Sequence, residues 1–319
     1  MNRTAVILRL AAQMRDFALR RERPACPPFR LWVDLTSRCN LACPACPQRL
    51  LPPEERRDLS PDILAGLVRE VPELGVEVNL FHRGEPLLHP HFAFWARRFA
   101  RASRQVRVHS NATLLTTRRA AAVVAGGVAV FTCSVDSLDP AAYALARPGA
   151  SLERTLAGVE RLLLTRRAVG ARRPVVNLLT MGPAAPDPAA EPALRRLSAL
   201  GLDRVSHRRP HNWGGAVPGP VGSAGPAACT FPWYGLAVLS DGRVTPCPQD
   251  FFGRLTLGRL PDQSLREIWQ GEAARRLRRA HARRDLGDYP GCAACDRVRR
   301  PTLASVPWEH LVNFLREAL

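Results

Sequence analysis

Nine cysteines are spread unevenly along the 319 residues, and their spacing is where chemistry first shows. Cys39, Cys43 and Cys46 lie in the run Thr36-Ser-Arg-Cys-Asn-Leu-Ala-Cys-Pro-Ala-Cys46, three thiols separated by three and two residues. Three thiolates this close can hold three irons of a [4Fe–4S] cube and leave the fourth iron without a protein ligand. That open position lets a cube chelate a small molecule as well as carry an electron. Zinc is the competing reading, but zinc sites normally recruit four ligands, often in pairs, and no fourth is nearby in sequence. Iron–sulfur is the expectation. A second set, Cys229, Cys247, Cys292 and Cys295, supplies four thiolates in the last third of the chain. Its spacing leaves structural zinc and a fully ligated cube both open. Cys26 and Cys133 stand alone and are expected to be buried or incidental thiols.

Thiol chemistry needs a reducing compartment. The chain opens without an apolar run followed by a small-residue cleavage site, so a cytoplasmic protein with reduced thiols is expected. The longest apolar stretch, 120–130, is short and broken by Gly126-Gly127, so no membrane span is expected. The net charge of +18 is carried entirely by arginine, with no lysine in the chain. Such a charge can serve an anionic partner, but the arginines are scattered and no aromatic platform interleaves them. The densest group, Arg275, Arg276, Arg278, Arg279, Arg283 and Arg284, has the spacing of a solvated helix face. Nucleic acid is therefore not an expected partner.

The elements that must position these thiols follow from periodicity and turn chemistry. Residues 1–28 form an arginine-studded amphipathic helix (Val6, Ile7, Leu10, Met14, Phe17) closed by Pro24, expected to pack on the body of the protein rather than lie on a membrane. Over 29–213, apolar runs at 29–35, 76–81, 105–109, 128–135, 174–180 and 204–207 alternate with helical segments. Ser60-Pro61-Asp62, Asp139-Pro140 and Ser151 start helices, and Gly126 and Gly201 close them at positive φ. Six β-then-α repeats make an α/β fold, a partial (β/α)6 TIM-like barrel, whose site lies at the carboxyl ends of the strands. A Gly/Pro/Ala linker over 214–228 leads to a small domain at 229–300, a β-hairpin turned by Asp241-Gly242 followed by a helix. Residues 301–319 are expected to be a final packing helix.

With the cysteine loop placed after the first strand of a partial barrel, the sequence resembles the radical S-adenosylmethionine (SAM) superfamily. The resemblance runs over about residues 29–300. It implies that SAM occupies the open iron and that an electron from the cluster splits its sulfonium bond, giving a 5′-deoxyadenosyl radical. It also implies a flavodoxin- or ferredoxin-type electron donor. Phe81-His82-Arg83-Gly84-Glu85-Pro86 looks like the family's Gly-Gly-Glu motif, so Gly84 and Glu85 are implied contacts of the SAM amino group. His109-Ser110-Asn111 and Ser134-Val135-Asp136 imply further cofactor contacts through Asn111 and Ser134, and Arg147 is placed to reach the SAM carboxylate. Two positions depart from the pattern: Ala45 stands where an aromatic residue is common, and Arg83 replaces the first glycine, which frees it to face substrate. The second set, with Asp241-Gly242, Leu257-Gly258 and Ser264-Leu265-Arg266-Glu267-Ile268-Trp269 around it, is similar to the auxiliary-cluster extension called SPASM or twitch. No cysteine follows Cys295, so one auxiliary [4Fe–4S] cluster held by all four thiolates fits better than two, and its implied role is to take an electron from a substrate radical or to stabilise the domain.

His82, Arg83, His207 and His211 are the candidate catalytic residues, since each falls at or just after a strand end. Together with His109, Asn111, Arg208, Asn212 and Trp213 they suit a small polar, hydroxylated or anionic substrate. The single-cluster architecture is similar to that of an aminocyclitol alcohol dehydrogenase. A sugar-like substrate is thus the first expectation, modification of a ribosomally made peptide or protein the second. A non-catalytic zinc or iron–sulfur nucleic-acid-binding protein is the reading from another class.

Overall fold

The computed structural model describes residues 3–182, 191–219, 227–300, 302–303 and 306–307. In chain order the elements are α1 (Arg3–Ala18), β1 (Arg30–Val33), α2 (Pro61–Leu74), β2 (Glu77–Asn79), α3 (Phe92–Ala102), β3 (Val106–Ser110), α4 (Thr117–Ala125) and β4 (Val130–Asp136). They continue with α5 (Pro140–Ala146), α6 (Leu152–Ala168), β5 (Val175–Met181), α7 (Pro192–Ala199), β6 (Arg204–Arg208), α8 (Phe231–Tyr234), β7 (Gly235–Val238) and β8 (Arg243–Thr245). Last come β9 (Gly258–Arg259), α9 (Leu265–Gln270), α10 (Glu272–Arg283), α11 (Pro290–Ala293), β10 (Thr302–Leu303) and β11 (Val306–Pro307). The chain divides into two compact units. One is formed by Val33–Leu59 and Glu77–Pro210, the other by Met1–Trp32, Ser60–Val76 and His211–Leu319.

The first of these units carries β2 to β6 as a parallel sheet in the order β6-β5-β4-β3-β2, an open sheet rather than a closed barrel. Its inner strands read as near-continuous apolar runs because helices cover the sheet. Val106, Val108, Phe131, Cys133, Val135, Val176 and Leu178 are all fully buried. The helix starts follow their capping chemistry: Asp139 Oδ1 accepts from the Ala142 amide at 2.7 Å and Ser151 Oγ from Arg154 at 3.3 Å. One helix end differs from expectation. Gly126 keeps a helical φ of −71°, and it is Gly127, at +70°, that leaves the helix through the left-handed region.

In the other unit, β1, β7, β8 and β9 lie in that order, the last three antiparallel to one another. Gly242 turns the β7–β8 hairpin at φ +86°, and a Cβ there would stand 2.7 Å from the Leu260 carbonyl oxygen, so only glycine fits. α1 packs inward through Phe17, whose ring meets Trp233 edge-on at 5.4 Å. The Arg9 guanidinium ties the same helix to the carbonyls of Pro28, Leu74 and Gly75. α1 ends at Ala18, short of Pro24. Among the described residues no helix is long and apolar enough to cross a membrane. Residues 302–303 and 306–307, expected to be helical, instead pair with each other antiparallel. The rest of that expected helix, 308–319, and the linker core, 220–226, lie outside the described residues.

Candidate functional site

The Cys39 loop is fixed by what precedes and faces it. Asp34, at the end of the β1 run, is fully buried. Its carboxylate accepts from the Arg83 amide at 3.1 Å and from Arg83 Nε at 2.8 Å. Arg83 also stands 3.5 Å from Glu55 and is only 2% exposed. Arg83 thus holds the β2 end against the base of the cysteine loop. An acid at the end of an apolar strand run was the signal for its partner. Gly84 then passes so close to that base that a Cβ would stand 2.2 Å from the Thr36 carbonyl oxygen and 2.4 Å from that of Arg38. The Glu85 amide donates to the Arg38 carbonyl at 2.9 Å.

Glu85 is buried, and its carboxylate accepts from Ser110 Oγ at 2.8 Å and from the amides of Leu87 (3.0 Å) and Asn111 (2.7 Å). It thereby ties the end of β2 to the end of β3. Burial pushes its pKa up, and those hydrogen bonds pull the other way. Asn111 Nδ2 donates to Asn40 Oδ1 at 2.9 Å and lies 4.0 Å from Cys39 Sγ. Arg147 is buried at the end of α5, its Nε 2.9 Å from Asp136 Oδ2. Asp136 sits at φ +64°, where the β4 register slips past Ser134, and its buried Oδ1 has no partner among the described residues. An unpaired buried oxygen on a strained residue marks a position prepared for a ligand.

The thiols themselves form a coupled donor set. Burial pushes Cys39 up to about 11 and Cys46 up to about 12, and raises Cys43. The neighbouring thiols add to the rise at Cys39 and Cys46, whereas Arg147 lowers all three. Three thiols within the eight residues 39–46 make a donor set that fits such an iron–sulfur core.

The histidines divide. His109 stacks on Phe81 with ring centroids 4.0 Å apart. Both nitrogens of His207 are engaged, Nδ1 with Thr180 Oγ1 and Nε2 with the Gly182 carbonyl, each at 3.0 Å, which gives it a structural place at the β5–β6 edge. His82 is half-buried after β2, and His211 tilts against Trp213 at 4.3 Å in the other unit. Asn212 exchanges hydrogen bonds with Asp296 and donates to Ala294, clasping the segment that bears Cys292 and Cys295.

Cys229, Cys247, Cys292 and Cys295 line one recess of about 540 Å³, counted out to open solvent, with Trp213, Phe231, Phe251 and His281 in its wall. Burial pushes Cys229 up to about 12 and raises Cys247, Cys292 and Cys295. Neighbouring thiols are the next cause at Cys229, Cys247 and Cys292. Backbone amides of Phe231, Arg297 and Gly214 hydrogen-bond Cys229 or Cys295 and oppose the rise. Four mutually repelling thiols in an apolar recess fit a fully ligated cluster. His281, hidden from sequence reasoning inside the arginine-rich α10, is 1% exposed, and burial followed by the Arg20 charge lowers its pKa to about 4.

The chain resembles known proteins over most of its length. The model of the radical SAM superfamily matches residues 33–197, and that of SPASM, an iron–sulfur cluster-binding domain, matches 229–296. The PqqA peptide cyclase of Ruegeria pomeroyi is 28% identical over 308 residues, covering 85% of this chain and 80% of that protein. The AdoMet-dependent heme synthase of Methanosarcina barkeri is 33% identical over 138 residues, 43% of this chain and 39% of that one. Among solved structures, BtrN in complex with AdoMet and 2-DOIA superposes with a TM-score of 0.60 at 17% identity, covering 85% of this chain and 95% of that one. Streptococcus suis SuiB bound to precursor peptide SuiA gives 0.64 at 12% identity, covering 94% and 76%. The chain belongs to the radical SAM superfamily, an enzyme that works with a [4Fe–4S] cluster and SAM and carries a SPASM domain for auxiliary iron–sulfur.

Proposed function

We propose that Cys39, Cys43 and Cys46 hold the SAM-binding [4Fe–4S] cluster, that Cys229, Cys247, Cys292 and Cys295 hold one auxiliary cluster, and that the enzyme oxidises a polar, hydroxylated substrate in the cytoplasm. When bound, the cluster and SAM supply a 5′-deoxyadenosyl radical able to remove hydrogen from an unactivated C–H bond. This chain's residues do the positioning. Gly84 and Glu85 present the end of β2 against the cysteine loop. With the Glu85 carboxylate engaged by Ser110 and two amides, the backbone of that turn is the better acceptor for the SAM amino group. Asp136 offers its unpaired Oδ1 and Arg147 its charge to the polar groups of the cofactor. Held by all four thiolates, the auxiliary cluster would keep no open iron and would supply an electron-accepting site, and a flavodoxin- or ferredoxin-type protein would supply the first electron.

The observation that carries this reading is the close pass of Gly84 by the carbonyls of Thr36 and Arg38, which sets the Gly-Glu turn against the start of the cysteine loop. Anaerobic reconstitution tests it: about eight irons per chain and reductant-dependent 5′-deoxyadenosine are expected. Zinc, or iron without SAM cleavage, would contradict it. A Cys292→Ala, Cys295→Ala variant is expected to lose about four irons and keep the rest. A second reading, modification of a ribosomally made peptide, is favoured by the likeness to a PqqA peptide cyclase over most of both chains. Deuterium transfer into 5′-deoxyadenosine from labelled aminosugars or labelled peptides separates the two.

A further inference from the structure

Within the auxiliary recess one side chain is placed for a task that the thiols do not perform. His281 reaches the wall of the recess from α10, and its Nδ1 accepts the Cys229 amide at 3.4 Å. An imidazole that accepts through Nδ1 carries its proton on Nε2. That Nε2 is buried and has no hydrogen-bond partner among the described residues. Arg20, whose charge is felt at the ring, is itself a donor and cannot receive this proton. A buried N–H without an acceptor is rare in folded proteins, and it calls for a group from outside the polypeptide. Cluster sulfides and cysteinyl sulfurs are the acceptors that a filled recess would bring.

We infer that His281 donates its Nε2 proton to a sulfur of the auxiliary cluster and thereby raises that cluster's reduction potential. The inference rests on the proposed ligation by Cys229, Cys247, Cys292 and Cys295. Hydrogen bonds to the sulfurs stabilise the more negative, reduced cluster, one of the levers by which a protein sets such a potential. Two backbone donors, from Gly214 and Arg297, already face Cys295 and one, from Phe231, faces Cys229. A side chain can be retuned by a single substitution where a backbone donor cannot.

The test uses the full-length reconstituted enzyme grown with ¹⁵N-histidine and reduced for pulsed EPR. A weak ¹⁵N coupling to the reduced auxiliary cluster is expected, lost in His281→Gln. In His281→Phe, with iron content held, the ratio of reduced to oxidised auxiliary cluster at a fixed potential is expected to fall about tenfold, or about 59 mV for a one-electron couple. No ¹⁵N coupling in the labelled wild type overturns the inference without need of any variant. So does a coupling that survives in His281→Gln, or an unchanged potential in His281→Phe. An iron count near four, with no second paramagnetic centre, would instead overturn the ligation on which the inference stands.

Discussion

The two cysteine sets proposed to hold iron–sulfur clusters are built in opposite ways. The first is built from eight consecutive residues, 39–46, and nothing in the chain's topology is needed to bring its thiols together. Tertiary structure contributes the platform beneath it, through Gly84, Arg83 and Asp34. The second is assembled from the two flanks of a hairpin and one later segment, and tertiary structure itself makes the donor set: Asn212 clasps the Cys292–Cys295 segment, and aromatic rings wall the recess. A set of three on a local loop leaves room for a small molecule at iron. A set of four in a recess leaves none.

That contrast can be broken in graded steps. Replacing Cys39, Cys43 and Cys46 together by alanine is expected to abolish 5′-deoxyadenosine formation while about four irons stay bound, measured by product analysis and iron content. Arg83→Ala leaves the Asp34 carboxylate buried without its ion partner and is expected to cost about 4 kcal/mol in denaturant unfolding. Asp34→Leu combined with Arg83→Leu should recover much of that loss, because both charges are then absent. Gly84→Ala drives a methyl into two backbone carbonyls and is expected to cost about 3 kcal/mol and to weaken SAM binding, seen by calorimetry. The smallest effect is Asp139→Ala. It removes the cap of α5, the short helix that ends at Arg147, and should cost about 1 kcal/mol in thermal unfolding.

Legibility in the sequence followed the same division. All six strands of the β-then-α series stand where apolar runs put them, because parallel strands covered by helices leave a continuous signal. The local cysteine loop and the Gly-Glu turn one strand later were readable for the same reason: their meaning is carried by neighbours in sequence. Arg83 and His281 were not. Arg83 looks like a free cation until Asp34 and Glu55 are seen beside it, 49 and 28 positions away. His281 looks like one more polar residue in an arginine-rich helix until α10 turns it into the Cys229 recess. Asp136 showed its type but not its positive φ, which falls at the register slip between β4 and β5.

The claim on which the account turns is that only the 39–46 set leaves an iron open. The most direct measurement is the EPR spectrum of the reduced Cys292→Ala, Cys295→Ala variant, which retains the first cluster alone, with and without SAM. The account predicts that SAM changes the signal of that one cluster. A spectrum indifferent to SAM, with the cluster intact, would contradict it.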